Sequence, residues 1–458
     1  MNLSLLEKLN EKQREAASQI DGSILILAGA GSGKTRTITY RIAHMIENVG
    51  ISPYSILAVT FTNKAAKEMR ERVEDLVGDI AKACTISTFH SFGMRLLRMY
   101  ASEVGYNPNF TIYDTDDQKR IVKAILKGQN ISFNGVKLTE RDIVSIISKI
   151  KEEIKTLDEY SVMNKQIVEV YDKYNRALLE SNAMDFSDIL LNTYKLLQKP
   201  EILEKVQNKY KYIMIDEYQD TNNLQYKIID LIARKSSNLC VVGDENQSIY
   251  GFRGANIFNI LNFETNYSNA KIIKLEENYR STTTILDAAN ELIKNNKSSK
   301  DKKLWTQNGK GDLIKVLACD NARDEVSRII EIIKKNHQNG IAYRDMTILY
   351  RTNAQSRLFE EGFLRYNIPH KVFGGISFYS RAEIKDIIAY LSIIVNPQDE
   401  LNLQRIINVP KRKVGEKGIE KIITYARENN LNLLEALSHI KEISGLTVVG
   451  KEKILEMY

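Results

Sequence analysis

Hydrophobic positions along the chain come in two rhythms. Short, largely apolar β-branched runs end in glycine or polar turns at "SILILAGAG" (23–31), "SILAVTFTN" (55–63), "KYIMIDEYQD" (211–220), "NLCVVGDEN" (238–246) and "AKIIKLEENYR" (270–280). Helical patterns follow them. Strands apolar on both faces and alternating with helices predict a parallel sheet covered on both sides. From 108 to 184 the chain is helical and lysine-rich, so one α/β domain (1–107 and 185–279) is expected to carry a helical insertion, with "SNAMDFSDIL" (181–190) marking the return. A second α/β series is expected over 280–375, with strands at "GDLIKVLACDN" (311–321), "MTILYRT" (346–352) and "HKVFGG" (370–375). Helices then take over from 376 to 458, so this second sheet reads as incomplete.

Length and composition change the picture little. The 458 residues, 43% hydrophobic and 27% charged, suit an ordinary globular chain of about three domains. No run approaches the roughly 18 apolar residues of a membrane span, and charges occupy the N-terminus where a signal peptide would be apolar. The expectation is a cytoplasmic protein without membrane contact. Cys84, Cys240 and Cys319 form no CxxC pair, and the five histidines are scattered, so no His/Cys metal site is expected. The net charge of +7 fits a polyanion partner but does not require one.

Candidate chemistry enters at "AGAGSGKT" (28–35), between a strand and a helix. Here Ala28, Gly29, Ala30, Gly31, Ser32 and Gly33 would curl main-chain N–H groups around phosphate at the positive end of the helix. Lys34 would reach the β/γ oxygens and Thr35 would ligate Mg²⁺. Asp216 ends a buried strand, where a magnesium-holding carboxylate belongs, and Glu217 is placed to polarise an attacking water. ATP and Mg²⁺ are therefore the expected cofactors. In "VVGDENQSIYGFRGA" (241–255), Gln247 falls on the nucleotide side of the turn. Tyr250, Phe252 and Arg253 lie beyond it, and stacking rings beside a cation suit single-stranded nucleic acid. Tyr250 and Phe252 as core residues beneath the next helix is the plainer alternative.

"LNEKQREAA", "AGAGSGKT", "VTFTNKAAKEM", "TFHSFGMRLL", "IDEYQDTN", "VVGDENQSIYGFRGA", "LEENYRS" and "GGISFYSRAEIKD" occur in the order and spacing of the UvrD/Rep/PcrA helicases of superfamily 1, and the chain resembles them from residue 9 to about 413. The resemblance implies two RecA-like domains with helical accessory domains at 108–184 and 376–458. It implies ATP-driven 3′→5′ translocation on single strands, action at single/double-strand junctions, and partners among repair or replication proteins, as a monomer or weak dimer. By it Gln13 would read adenine, Arg36 and Tyr279 would sandwich it, Gln247 would sense the γ-phosphate, and Arg280 would be an arginine finger, worth about 10³ in rate. Phe61, Thr62, Asn63 and His90 would join Tyr250, Phe252 and Arg253 along the DNA track. The family usually has Trp where this chain has Phe252. Lys411, Arg412 and Lys413 in "NVPKRKVGEKG" would touch duplex phosphates, with a solvated basic turn as the alternative.

The resemblance also implies later segments that complete the second lobe and bring a second arginine finger. The sequence ends at "GLTVVGKEKILEMY" without them, so slow hydrolysis and no processive unwinding are expected of residues 1–458 alone. A nucleotide-regulated DNA-binding chain with little turnover is the alternative function, and the helicase subunit of a nuclease-linked recombination complex is a third.

Overall fold

The five apolar runs of the first domain form strands, and a sixth joins them. In the computed structural model, which describes residues 4–126, 128, 131–133, 136–153, 165–297, 300, 302–373 and 381–458, these are β1 (Ile24–Ala28), β2 (Ile56–Thr60), β3 (Thr85–Thr88), β4 (Tyr212–Ile215), β5 (Leu239–Gly243) and β6 (Lys271–Leu275). They make one sheet in the order β6-β1-β5-β4-β2-β3. Every adjacent pair is parallel. Strands β1, β2 and β5 are buried along their whole length, because helices cover both faces. Alternate residues feed two cores: Leu25, Leu57, Ile213 and Val241 face one, and Ile26, Ala58, Met214 and Val242 the other. Strand β3 is too short and polar, as "TIST", to stand out by pattern; its register against β2 defines it.

The chain leaves and re-enters this domain side by side, since Thr111–Ile112 pairs in parallel with Ala183–Met184. Between them the helices Thr115–Leu126, Glu140–Glu153 and Lys165–Glu180 enclose a core of their own around Tyr113, Val122, Ile147 and Tyr174. Lys151 ties this insertion to the sheet domain through Asp185 and Asp188, at 2.8 and 2.7 Å.

Beyond β6 the expectation of further strands is corrected: among the described residues no strand follows it. Leu313, Val316 and Leu349 stand 73%, 92% and 91% exposed. An apolar run becomes a strand only where a neighbour supplies ladder hydrogen bonds, and these runs pair with none. The helices Ala322–Gln338 and Ser356–Arg365 form nonetheless and pack through Val326, Ile330, Phe359 and Phe363. The "HKVFGG" run overlaps, and the "GGISFYS" part of the last motif occupies, residues 374–380, outside the described residues.

Five helices from Ala382–Val395 to Val448–Leu455 share a separate core that includes Leu403, Ile422 and Leu437. This group docks on the insertion. Tyr113 Oη donates to Asp399 Oδ1 at 2.6 Å, Asn396 Nδ2 donates to the Ser181 and Asn182 carbonyls at 3.1 Å, and Lys385 pairs with Asp114 at 2.7 Å. The architecture is α/β, a parallel RecA-like sheet with a helical insertion followed by helices. No described helix is long and apolar enough to cross a membrane.

Candidate nucleotide site and nucleic-acid track

Every expected site residue of the first domain lies at the C-terminal edge of the sheet, where parallel strands open toward ligands. The loop after β1 turns through left-handed Gly31 (φ 69°) and Gly33 (φ 85°), and Gly33 caps the helix Lys34–Glu47. Lys34 is buried and among the described residues its Nζ finds no hydrogen-bond partner, pairing instead with Glu217 Oε2 at 3.3 Å. A buried ammonium left this underused is costly, and the cradle around it fits a phosphate.

The acidic side is crowded. Asp216 Oδ2 accepts from Thr35 Oγ1 at 3.3 Å and its Oδ1 accepts from the Glu217 N–H at 3.0 Å. Burial, then the neighbouring Glu217, pushes Asp216 up to about 6. Asp220 is also raised to about 6, by burial and by Glu217, and its Oδ1 is buried without a partner among the described residues. Asp216, Glu217 and Asp220 thus gather carboxylates beside Lys34. Among the described residues no three His, Cys, Asp or Glu side chains form a ready metal cage. Mg²⁺ uses one or two carboxylates and takes its other ligands from water and phosphate, and the side chains here that could serve it are Thr35 and Asp216.

Sequence reasoning missed Gln219, which joins the two halves of the site. Its Nε2 donates to Glu217 Oε2 at 2.8 Å and its Oε1 accepts from the Asp244 N–H at 3.0 Å. A Cβ at Gly243 would stand 2.6 Å from that Oε1, so a larger residue there would displace the Gln219 amide. An amide inside "DEYQD" was the available signal. Gln247 sits in the turn after β5, with its Nε2 on Asp244 Oδ2 at 2.6 Å. Asn278, also missed, is 2% exposed; its Nδ2 donates to the Ala30 carbonyl at 2.5 Å and its Oδ1 accepts from the Arg280 N–H at 2.9 Å. Arg280 is thereby held, exposed, beside Gly31.

At the rim, Gln13 is buried against the loop and donates to the Ser32 carbonyl at 2.9 Å. Arg36 donates to the Lys8 carbonyl and lies over the Tyr40 ring, 5.3 Å from its centroid. Tyr279 is half exposed, its hydroxyl between Asn10 and Glu277 at 2.7 Å each.

Past the turn the aromatics form a connected row. Phe61 and Tyr250 have ring centroids 5.1 Å apart and Tyr250 and Phe252 6.0 Å, with the Arg253 guanidinium 5.4 and 5.5 Å from the last two rings. Phe252 is 72% exposed, which removes the alternative of a core residue for that ring. Thr62 accepts from the Ala65 N–H as a helix cap, and Asn63 Oδ1 accepts from Thr88 and Ser91. His90 packs edge-on against exposed Phe186, at 6.0 Å, and burial lowers its basicity. Phe186 was not singled out from sequence.

The basic turn divides. Lys411 and Lys413 are exposed. The expectation that Arg412 meets phosphate is corrected, since the side chain is 9% exposed and its Nη1 donates to the Ile406, Ile407 and Val409 carbonyls. Its Nη2 donates to the Tyr390 hydroxyl at 2.6 Å. Carbonyls left open where the helix Glu400–Ile406 ends attract the guanidinium inward.

The UvrD/REP helicase N-terminal domain matches residues 9–268, and the UvrD-like helicase C-terminal domain matches 273–444. The chain is 48% identical, over 99% of its length, to the ATP-dependent DNA helicases PcrA of Staphylococcus aureus and Staphylococcus epidermidis. It spans 63% of the length of those relatives.

Proposed function

The chain belongs to the UvrD/Rep helicase family, and from that premise we propose that it binds and hydrolyses ATP in step with single-stranded DNA, as part of a 3′→5′ DNA translocase and helicase. The observation that carries the reading is the polar path from Lys34 and Glu217 through Gln219 to the Asp244–Gln247 turn, which runs on into the Tyr250–Arg253 row. On this reading one loop serves both ligands.

The main-chain cradle and Lys34 hold the triphosphate, while Gln13, Arg36 and Tyr279 border the base. Thr35 and Asp216 would hold Mg²⁺, which when bound neutralises phosphate charge. Glu217, whose φ of 53° turns it out of the strand direction toward Lys34, receives the proton of the attacking water. Arg280 faces the charge that develops on the transferring phosphoryl group. Bases stack on Phe61, Tyr250 and Phe252 without sequence readout, at about 1–3 kcal/mol each, as a motor that passes every base requires. Junction binding, service in repair or replication, and a monomer or weak dimer belong to the same proposal.

The open runs around Leu313, Val316 and Leu349 favour a second reading for residues 1–458, nucleotide-dependent DNA binding with little turnover. Steady-state ATPase with and without oligo-dT, with Glu217→Gln as the blank, separates the two. Strong stimulation that Glu217→Gln abolishes supports the first reading. Binding of both ligands with negligible turnover supports the second, and failure to bind nucleotide refutes both.

A further inference from the structure

Lys302 follows the helix Thr283–Ile293, in the region that matches the C-terminal family domain, yet its side chain lies under the turn of the first domain. Its Nζ is 2.6 Å from Asp244 Oδ1 and 2.7 Å from Glu245 Oε2, and the three side chains are 3%, 5% and 0% exposed. Asp244 is the shared node. One carboxylate oxygen takes Lys302, the other takes Gln247, and its N–H holds Gln219, which holds Glu217. The neighbouring residues grip the rest of the site. Leu304 packs where a Cβ on Gly29 would have to go, and the Trp305 carbonyl accepts from the Asn278 N–H at 2.7 Å.

We propose that Lys302 is a positioning residue for the reaction. Acting through Asp244, it sets Gln247 and Gln219, and so makes the nucleotide site answer to the DNA-facing loop. This rests on the reading of the site as an ATPase coupled to single strands. The physical reason is that a buried cation shared by two buried carboxylates tolerates no slack: shifting residues 302–305 moves the turn or breaks the cluster. Two neighbouring contacts reach the same turn, from the Lys300 N–H to Glu245 Oε1 at 3.0 Å and from Asn296 Nδ2 to Asn246 Oδ1 at 2.8 Å, but Lys302 is the one that meets Asp244, which holds Gln247.

The test reads coupling, which needs no turnover. Anisotropy of labelled oligo-dT gives DNA affinity with and without the β,γ-imido analogue of ATP, and fluorescence of Trp305, the single tryptophan of the chain, reports analogue binding. The ratio of the two DNA affinities measures coupling, and linkage makes it the same from either side. For Lys302→Met the ratio is expected to collapse to within about twofold of one, while each separate affinity changes less than about threefold. Lys302→Met/Glu245→Gln restores the charge balance and so guards against simple misfolding. It should recover the melting temperature but not the ratio. The proposal is overturned if Lys302→Met keeps the wild-type ratio, if the double variant restores it, or if the wild-type ratio is itself one. Failure of the wild-type chain to bind the analogue at all would instead refute the proposed function.

Discussion

Lys151→Met should loosen the insertion from the sheet domain, by an amount the contacts allow one to estimate. Lys151 lies near the end of the helix Glu140–Glu153, and its side chain is fully buried. It meets Asp185 and Asp188 at 2.8 and 2.7 Å, while the Tyr174 hydroxyl donates to the same Asp185 oxygen at 2.9 Å. The two aspartates also cap the helix Phe186–Leu197 reciprocally, so they cannot turn away to water. Removing the cation strands two buried carboxylates, which costs about 3–5 kcal/mol. The pH dependence follows from Asp188, held up to about 6 by burial and by Asp185. A carboxyl raised in the folded state takes up a proton on folding, so its share of stability falls as pH rises toward 6. Without Lys151 the rise grows, and the deficit should be largest at pH 7.5 and smaller at pH 5. Urea unfolding followed by far-UV circular dichroism at both pH values tests this, with Lys151→Met/Asp185→Asn/Asp188→Asn expected to recover more than half the loss. A loss under about 1 kcal/mol at pH 7.5 would refute the reasoning, as would a deficit that does not shrink at pH 5.

Phe252→Ala should weaken oligo-dT binding by about 1–3 kcal/mol, roughly 5- to 150-fold, and Phe252→Trp should tighten it; anisotropy titration measures both. Asp117, raised to about 6 chiefly by burial and then by Asp114, destabilises the fold once ionised. Asp117→Asn should therefore stabilise the chain at pH 7.5 by at most about 3 kcal/mol, less after solvent screening, and make little difference near pH 4 by thermal unfolding. Arg412→Met should lower stability by on the order of 2 kcal/mol and leave the salt slope of DNA binding unchanged. Lys411→Ala and Lys413→Ala should each reduce that slope by about one if they touch phosphate.

The elements legible in the sequence are those set by near neighbours. Five apolar runs declare strands, three of them buried along their whole length while the edge strand Lys271–Leu275 keeps its lysines exposed, and "AGAGSGKT" declares a phosphate loop because strand, glycines, lysine and helix are contiguous. The acid pair Asp216–Glu217 follows from its place at a strand end. What only the tertiary structure decides is which side chains meet across long separations. Gln219 matters because β5 lies beside β4 and brings Asp244 to its amide. Asn278 matters because β6 lies beside β1, and Lys302 because a segment nearly sixty residues on folds under the same turn. Arg412 reads as basic surface from its neighbours, and is drawn inward by three carbonyls. Leu313, Val316 and Leu349 read as strand from their own pattern and stay open, since a strand is completed by its partner. Local propensity and spacing act within a few residues, whereas hydrogen-bond and ion-pair partners are assigned by the packing of the whole sheet.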